Sequence, residues 1–254
     1  MHTRPWLLIF ALLATPLVSL ADKATVAVAA NFISPMKAIV AEFEAATSHK
    51  IDLVFGSSGK LYAQITHGAP FDVFFSADQE TPARLARDKL AIGDSQFTYA
   101  LGALALWSAD ARRVDTDGKV LKTDDYQHLA IANPQLAPYG RAAMEVLTTL
   151  GLADTVADRL VQGENIAQAY QFVASGNAEL GFVALSQVWT DDAFPVGSGW
   201  VIPATLYSPI RQDAVLLKRG RDNPAAIALI GFVKSAESRR IITSFGYSQS
   251  QAND

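Results

Sequence analysis

Four short stretches of this chain place small or polar residues where a helical pattern begins, and the chemistry they suit is hydrogen-bond donation toward an anion. They are Ala30-Asn31, Gly56-Ser57-Ser58-Gly59, Pro138-Tyr139-Gly140 and Asn165-Ile166. The first N–H groups of a helix have no intrahelical acceptor, and the helix dipole adds partial positive charge at the same end. A carboxylate, phosphate or similar ion is therefore held well there. Each stretch taken alone also suits an ordinary helix cap, Ser57 or Ser58 being a common N-cap type. Four recurrences favour the anion site.

Catalytic sets find little support in the same residues. A Walker phosphate loop needs glycine five residues before the Gly-Lys pair and Ser or Thr after it, where this chain has Val54 and Leu61. A Gly-x-Ser-x-Gly nucleophile elbow fails because Lys60 stands where its second glycine belongs. His49, His67 and His128 show no metal-ligand spacing. Asp72 and Asp78 can be read as paired carboxylates for acid/base work or, more simply, as strand-end and turn residues. Lys60 either lends charge to the serine stretch or is a solvated residue on a first helical turn. Trp107 and Trp189 suit core positions better than ligand platforms.

The elements that must carry these residues alternate. Residues 25–30 read as a strand closed by Asn31, and Ser34-Pro35 reads as the cap and first position of a helix through residue 46. Residues 51–55 form a second strand, 61–65 a helix, 71–75 a third strand and 81–90 a helix opened by Thr81-Pro82. Such alternation predicts βαβ units with a largely parallel sheet. Residues 97–108 form a long β-rich run with Gly102 inside it, suited to crossing between two domains. The second half follows the same plan, with strand 129–132, a turn-rich loop 133–140, helix 141–150, a further helix 154–161, an Asn165-capped helix from Ile166, and strand 180–184. Residues 213–217 are the natural return crossing. Asn223-Pro224 opens one more helix, residues 236–245 make a last one, and the chain after Gly246 is expected to fray.

Composition bounds the class. With 254 residues, half of them hydrophobic, the chain can bury a core for one large or two medium domains. Residues 1–21 read as a secretory signal: Arg4 gives a basic start, 6–18 an apolar run, and Ser19-Leu20-Ala21 a peptidase site, with cleavage before Asp22. Cysteine is absent, which excludes disulfides, thiolate metal sites and a lipidated cysteine anchor. Loss of Arg4 with the signal leaves 20 basic against 25 acidic residues, a balance of −5 that disfavours nucleic acid as a partner.

Over essentially the whole mature chain the sequence resembles the periplasmic substrate-binding proteins of molybdate/tungstate ABC importers, the ModA family. The carrying segments are 25–31 (TVAVAAN), 55–65 (FGSSGKLYAQI), 68–78 (GAPFDVFFSAD), 132–140 (ANPQLAPYG) and 181–185 (GFVAL). The resemblance implies an α/β, two-lobed type II periplasmic binding protein fold, each lobe a mixed, mainly parallel sheet flanked by helices, with the ligand cleft between lobes. Lobe 1 is expected to span 22–102 with 212–254, and lobe 2 to span 103–211. The family's oxyanion contacts fall on Asn31, with Ala30 beside it; on Ser58, with Ser57 beside it; on the Tyr139 backbone N–H; and on Ile166 at a helix start. Some members use a tyrosine hydroxyl where this chain has Ala184; others carry tyrosine in the loop, as at Tyr139, and this chain groups with them. The implied protein is a monomeric receptor, periplasmic after signal cleavage, that hands molybdate or tungstate to an inner-membrane ABC permease. It has no catalysis, no cofactor and no direct metal-ion ligands. The competing expectations are a receptor for sulfate or phosphate, and an exported serine hydrolase using Ser57 or Ser58.

Overall fold

The computed structural model describes residues 22–190 and 193–248, so the expected signal segment 1–21 lies outside the described residues. Two five-stranded sheets organise the described chain. The first contains β1 (Lys23–Ala29), β2 (Lys50–Gly56), β3 (Val73–Phe75), β4 (Phe97–Gly102) and β10 (Ile210–Leu216), in the order β2-β1-β3-β10-β4. The second contains β5 (Leu104–Ser108), β6 (Leu129–Ala132), β7 (Leu160–Gly163), β8 (Leu180–Ala184) and β9 (Ser198–Val201), in the order β7-β6-β8-β5-β9. β1 runs parallel to β2 and β3, and β6 parallel to β7 and β8. β10 and β5 arrive from the other sheet and run antiparallel to both their neighbours. Both sheets are therefore mixed.

The long run 97–108 is divided at Ala103, with Phe97–Gly102 in one sheet and Leu104–Ser108 in the other. The return strand begins at Ile210, ahead of the expected 213. Among the described residues seven α-helices flank the sheets: α1 (Ile33–Ala46), α2 (Ser58–Thr66), α3 (Glu80–Arg87), α4 (Pro138–Thr149), α5 (Ile166–Ala174), α6 (Pro224–Val233) and α7 (Ala236–Ser244). One core joins the second sheet to α4 and α5. The first sheet is covered by α1, α6 and α7 on one face, and by Leu61, Ile65 and Leu85 of α2 and α3 on the other.

Four local expectations change. α1 does not start on Ser34-Pro35: a 3-10 turn, Ala30–Phe32, runs straight into it, so no serine cap is needed. The helix expected at 154–161 is a 3-10 turn (Ala157–Arg159) followed by β7. Val156, Leu160 and Val161 suit a helical face, yet Leu160 and Val161 stand in register with Leu129 and Ala130 of β6, and that pairing decides. α4 begins at Pro138 rather than after Gly140. The chain beyond Gly246 is not frayed as far as it is described: Tyr247 is buried, and Ser248 exchanges backbone hydrogen bonds with Leu101.

Candidate functional site

The carboxyl ends of β1 and β2 lie side by side in one sheet and those of β6 and β7 side by side in the other, so the turns leaving them meet. The carboxyl ends of strands are where open α/β sheets hold ligands. A small cavity sits there, and all six residues expected from the sequence line it: Ala30, Asn31, Ser57, Ser58, Tyr139 and Ile166. Ala77, Ala137 and Asn165 complete much of the wall, and no Lys, Arg, His, Asp or Glu among the described residues contributes to it.

The donors are set by local structure. Asn31 is in the 3-10 turn, Ser58 and Ile166 are the first residues of α2 and α5, and Tyr139 is the second of α4. Their N–H groups belong to turns without an intrahelical acceptor. Capping side chains take the next donors inward: Ser57 Oγ accepts from the Lys60 N–H, and Asn165 Oδ1 from the N–H groups of Ala167 and Gln168. Those acceptors are thereby spent. Ser58 Oγ accepts the Ala77 N–H at 3.0 Å, which leaves its hydroxyl hydrogen for an acceptor in the cavity. Gln187 Nε2 donates to the Ile166 carbonyl at 3.3 Å while Gln187 Oε1 accepts from Ala184 N–H, tying the start of α5 to the end of β8.

Two side chains turn away from the cavity. The Asn31 carboxamide donates backward to Gln212 Oε1 at 2.7 Å and to Tyr247 Oη at 2.9 Å, so the group Asn31 has left to offer is its backbone N–H. The Tyr139 hydroxyl accepts from Gln212 Nε2 at 3.1 Å and is buried with it. Gln212, Tyr99, Ser186 and Tyr247 form this polar layer behind the site. Nothing in the sequence pointed to them, since Tyr247 lies 216 positions from Asn31.

Burial pushes the Tyr247 hydroxyl up to about 12, and burial first, then neighbouring tyrosines, holds Tyr99 and Tyr139 well above the usual phenol range. Each is raised relative to the unfolded chain. The stability they contribute is therefore complete below about pH 10 and is lost as pH climbs toward 12. Urea midpoints should hold steady up to about pH 9 and drop steeply above 10, together with tyrosinate absorbance. A decline that begins near neutrality would contradict this assignment.

Contacts between the two halves surround the cavity. The Gly59 N–H donates to the Leu136 carbonyl at 2.9 Å, Arg141 pairs with Asp78 at 3.1 Å, and Lys60 pairs with Glu164. Lys60 therefore bridges the halves and does not line the cavity. A Cβ at Gly59 would stand 3.0 Å from the Leu136 oxygen, so glycine is what lets the halves approach this closely.

The catalytic alternatives gain nothing from the geometry. Neither serine hydroxyl hydrogen-bonds a histidine: His67 Nδ1 meets the Ala63 carbonyl, His128 faces Glu179, and His49 stacks on Phe43. Asp72, 2% exposed, accepts the Thr25 N–H and pairs with Arg219, while Asp78 accepts the Thr81 N–H and pairs with Arg141. The two carboxylates serve separate structural ends. Trp107 donates to the Val196 carbonyl and Trp189 packs edge-on against Phe194. Among the described residues no cluster of His, Cys, Asp or Glu could hold a metal ion, and no helix is long and apolar enough to cross a membrane.

A model of the bacterial extracellular solute-binding protein family matches residues 24–248. The molybdate-binding protein ModA of Azotobacter vinelandii is 53% identical over 227 residues, covering 89% of this chain and 90% of the relative. ModA of Rhodobacter capsulatus is 51% identical over 227 residues, covering 89% of this chain and 88% of the relative. In three dimensions the chain superposes on the Azotobacter vinelandii periplasmic molybdate-binding protein with a TM-score of 0.87 and 42% identity, covering 90% of this chain and 100% of that one.

Proposed function

The chain belongs to the bacterial extracellular solute-binding proteins, and within that family we propose that it is the receptor that captures molybdate, and tungstate alike, and delivers it to an ABC permease. It works in the periplasm after loss of residues 1–21, as a monomer, without catalysis and without a cofactor. One observation carries the ligand class: a cavity walled from two sheets by first-turn N–H groups and the Ser58 hydroxyl, with no charged side chain among the described residues that line it.

A molybdate dianion carries four oxygens and no proton at neutral pH, so a cage for it needs donors only. Hydrogen bonds to charged groups contribute about 1.5–3 kcal/mol each, and six of them sum to roughly 9–18 kcal/mol. Association costs some 4–15 kcal/mol, so micromolar or tighter binding follows from the favourable end of that range. Neutral donors suffice because the charge of the dianion is met by N–H dipoles fixed in place by folding. Sulfate, a smaller tetrahedron, leaves donors out of reach at about 1–3 kcal/mol each. A protonated phosphate brings a hydrogen to a wall whose side-chain acceptors, Ser57 Oγ and Asn165 Oδ1, are already engaged.

The two lobes would close on the anion, the Asn31 and Ser58 donors meeting those of Tyr139 and Ile166. The exposed Lys60–Glu164 and Arg141–Asp78 pairs at the rim contribute little each, about 0–1 kcal/mol, and mainly align the edges.

A thermal-shift panel of molybdate, tungstate, sulfate, phosphate and chromate tests the assignment: the first two should stabilise the protein strongly and sulfate and phosphate little. A sulfate or phosphate shift equal to that of molybdate would replace the ligand. Labelling of Ser57 or Ser58 by a fluorophosphonate probe would restore the hydrolase. Ser58→Ala removes one hydroxyl donor and leaves the buried Ala77 N–H without its acceptor. Calorimetry should show molybdate affinity lower by about 10- to 150-fold.

A further inference from the structure

We propose that Tyr247 is a positioning residue for closure, its hydroxyl locking the Asn31 turn of the first lobe against Ser186 of the second. The proposal rests on the oxyanion-receptor assignment above. Tyr247 Oη lies 2.8 Å from the Asn31 carbonyl, 2.9 Å from Asn31 Nδ2 and 3.0 Å from Ser186 Oγ, and Ser186 Oγ itself donates to the Asn31 carbonyl at 3.0 Å. One phenol oxygen thus joins the turn that presents a ligand donor to the 3-10 turn (Leu185–Gln187) that follows β8 of the opposite sheet.

The phenol is held from behind. Its ring meets Phe32, in the same turn as Asn31, edge-on at 5.4 Å, and the Ser248–Leu101 bridge fixes the following residue to the strand that leads into the crossing between sheets. The C-terminal segment thereby reaches the wall of the site from the side opposite the cavity. When the lobes part, Ser186 leaves and water can meet the Asn31 carbonyl. When they close, water is excluded and the two hydroxyls must meet it. Loss of the Tyr247 hydroxyl therefore penalises the closed form more than the open one.

The mature chain carrying Tyr247→Phe keeps the ring and its contact with Phe32. With molybdate as the probe, affinity should fall by about 5- to 50-fold, through faster release at an unchanged association rate. The ligand-free unfolding midpoint should fall modestly, because Asn31 Nδ2 loses its acceptor, so the split between release and association rates is the deciding readout. Ser186→Ala should show the same split, and the double variant should lose less than the two single losses combined. A Tyr247→Phe protein that binds with wild-type affinity, or one whose midpoint falls while its release rate is unchanged, overturns the inference alone. A wild-type protein that binds neither molybdate, sulfate nor phosphate overturns the receptor assignment and this inference together.

Discussion

Asn31→Asp is expected to lose molybdate affinity on the order of a thousandfold and to lower stability by about 3–5 kcal/mol. The carboxamide it replaces is 3% exposed and donates both hydrogens, to Gln212 Oε1 and Tyr247 Oη. An aspartate oxygen there faces the Gln212 oxygen acceptor to acceptor. Gln212 can turn its amide toward the carboxylate only if both of its phenol contacts reverse, Tyr139 donating to its oxygen and Tyr99 accepting from its amide. A buried charge without a partner costs several kcal/mol, and the same charge stands behind a turn whose N–H lines the cavity proposed to hold a dianion. Calorimetry and urea unfolding on the one variant read both losses. Affinity within tenfold of wild type would mean that Asn31 is not part of the cage. The expected order places this loss well beyond that of Ser58→Ala.

Gly140→Ala should cost about 1–3 kcal/mol in stability and weaken molybdate binding by about 10- to 150-fold. A Cβ at this position would stand 2.3 Å from the Ala132 carbonyl oxygen and 2.9 Å from the Asn133 carbonyl carbon, both backbone. Neither can rotate aside, so the start of α4 must move off the end of β6, carrying the Tyr139 N–H with it. Gly231 of α6 is the matched control, with no atom beyond its chain neighbours and its own helix backbone within 4 Å of where its Cβ would be. Its replacement by alanine should be neutral or stabilising by up to about 1 kcal/mol, since alanine lowers the entropy of the unfolded chain. Equal midpoints and affinities for the two variants would show that α4 tolerates displacement.

Gly140 also shows why local propensity misplaced a helix start. Pro138-Tyr139-Gly140 has the composition of a turn, and glycine disfavours a helix by roughly 1 kcal/mol relative to alanine. The residue is kept because α4 passes directly over the β6 carbonyls, a tertiary constraint. The missed strand β7 has the same origin. Its apolar residues fit two periodicities, and only pairing with β6 chooses between them.

Capping and junction chemistry act over three or four residues, so much of it is legible in the sequence, Ser34-Pro35 being the exception because a 3-10 turn already leads into α1. Ser57, Asn165 and Asn223 each cap the helix that follows them, and the strand-to-helix junctions that supply the donors could be named from residue type alone. The alternation of elements likewise determined the α/β class. Which atom of a named residue is left facing the cavity was decided by folding. Asn31 and Tyr139 turn their side chains toward Gln212 and Tyr247, partners between 73 and 216 positions away, because a buried amide or phenol must find a hydrogen-bond partner and the other strands supply it. The approach of Gly59 to Leu136, and with it the closing of the site, depends in the same way on how two separately built sheets meet.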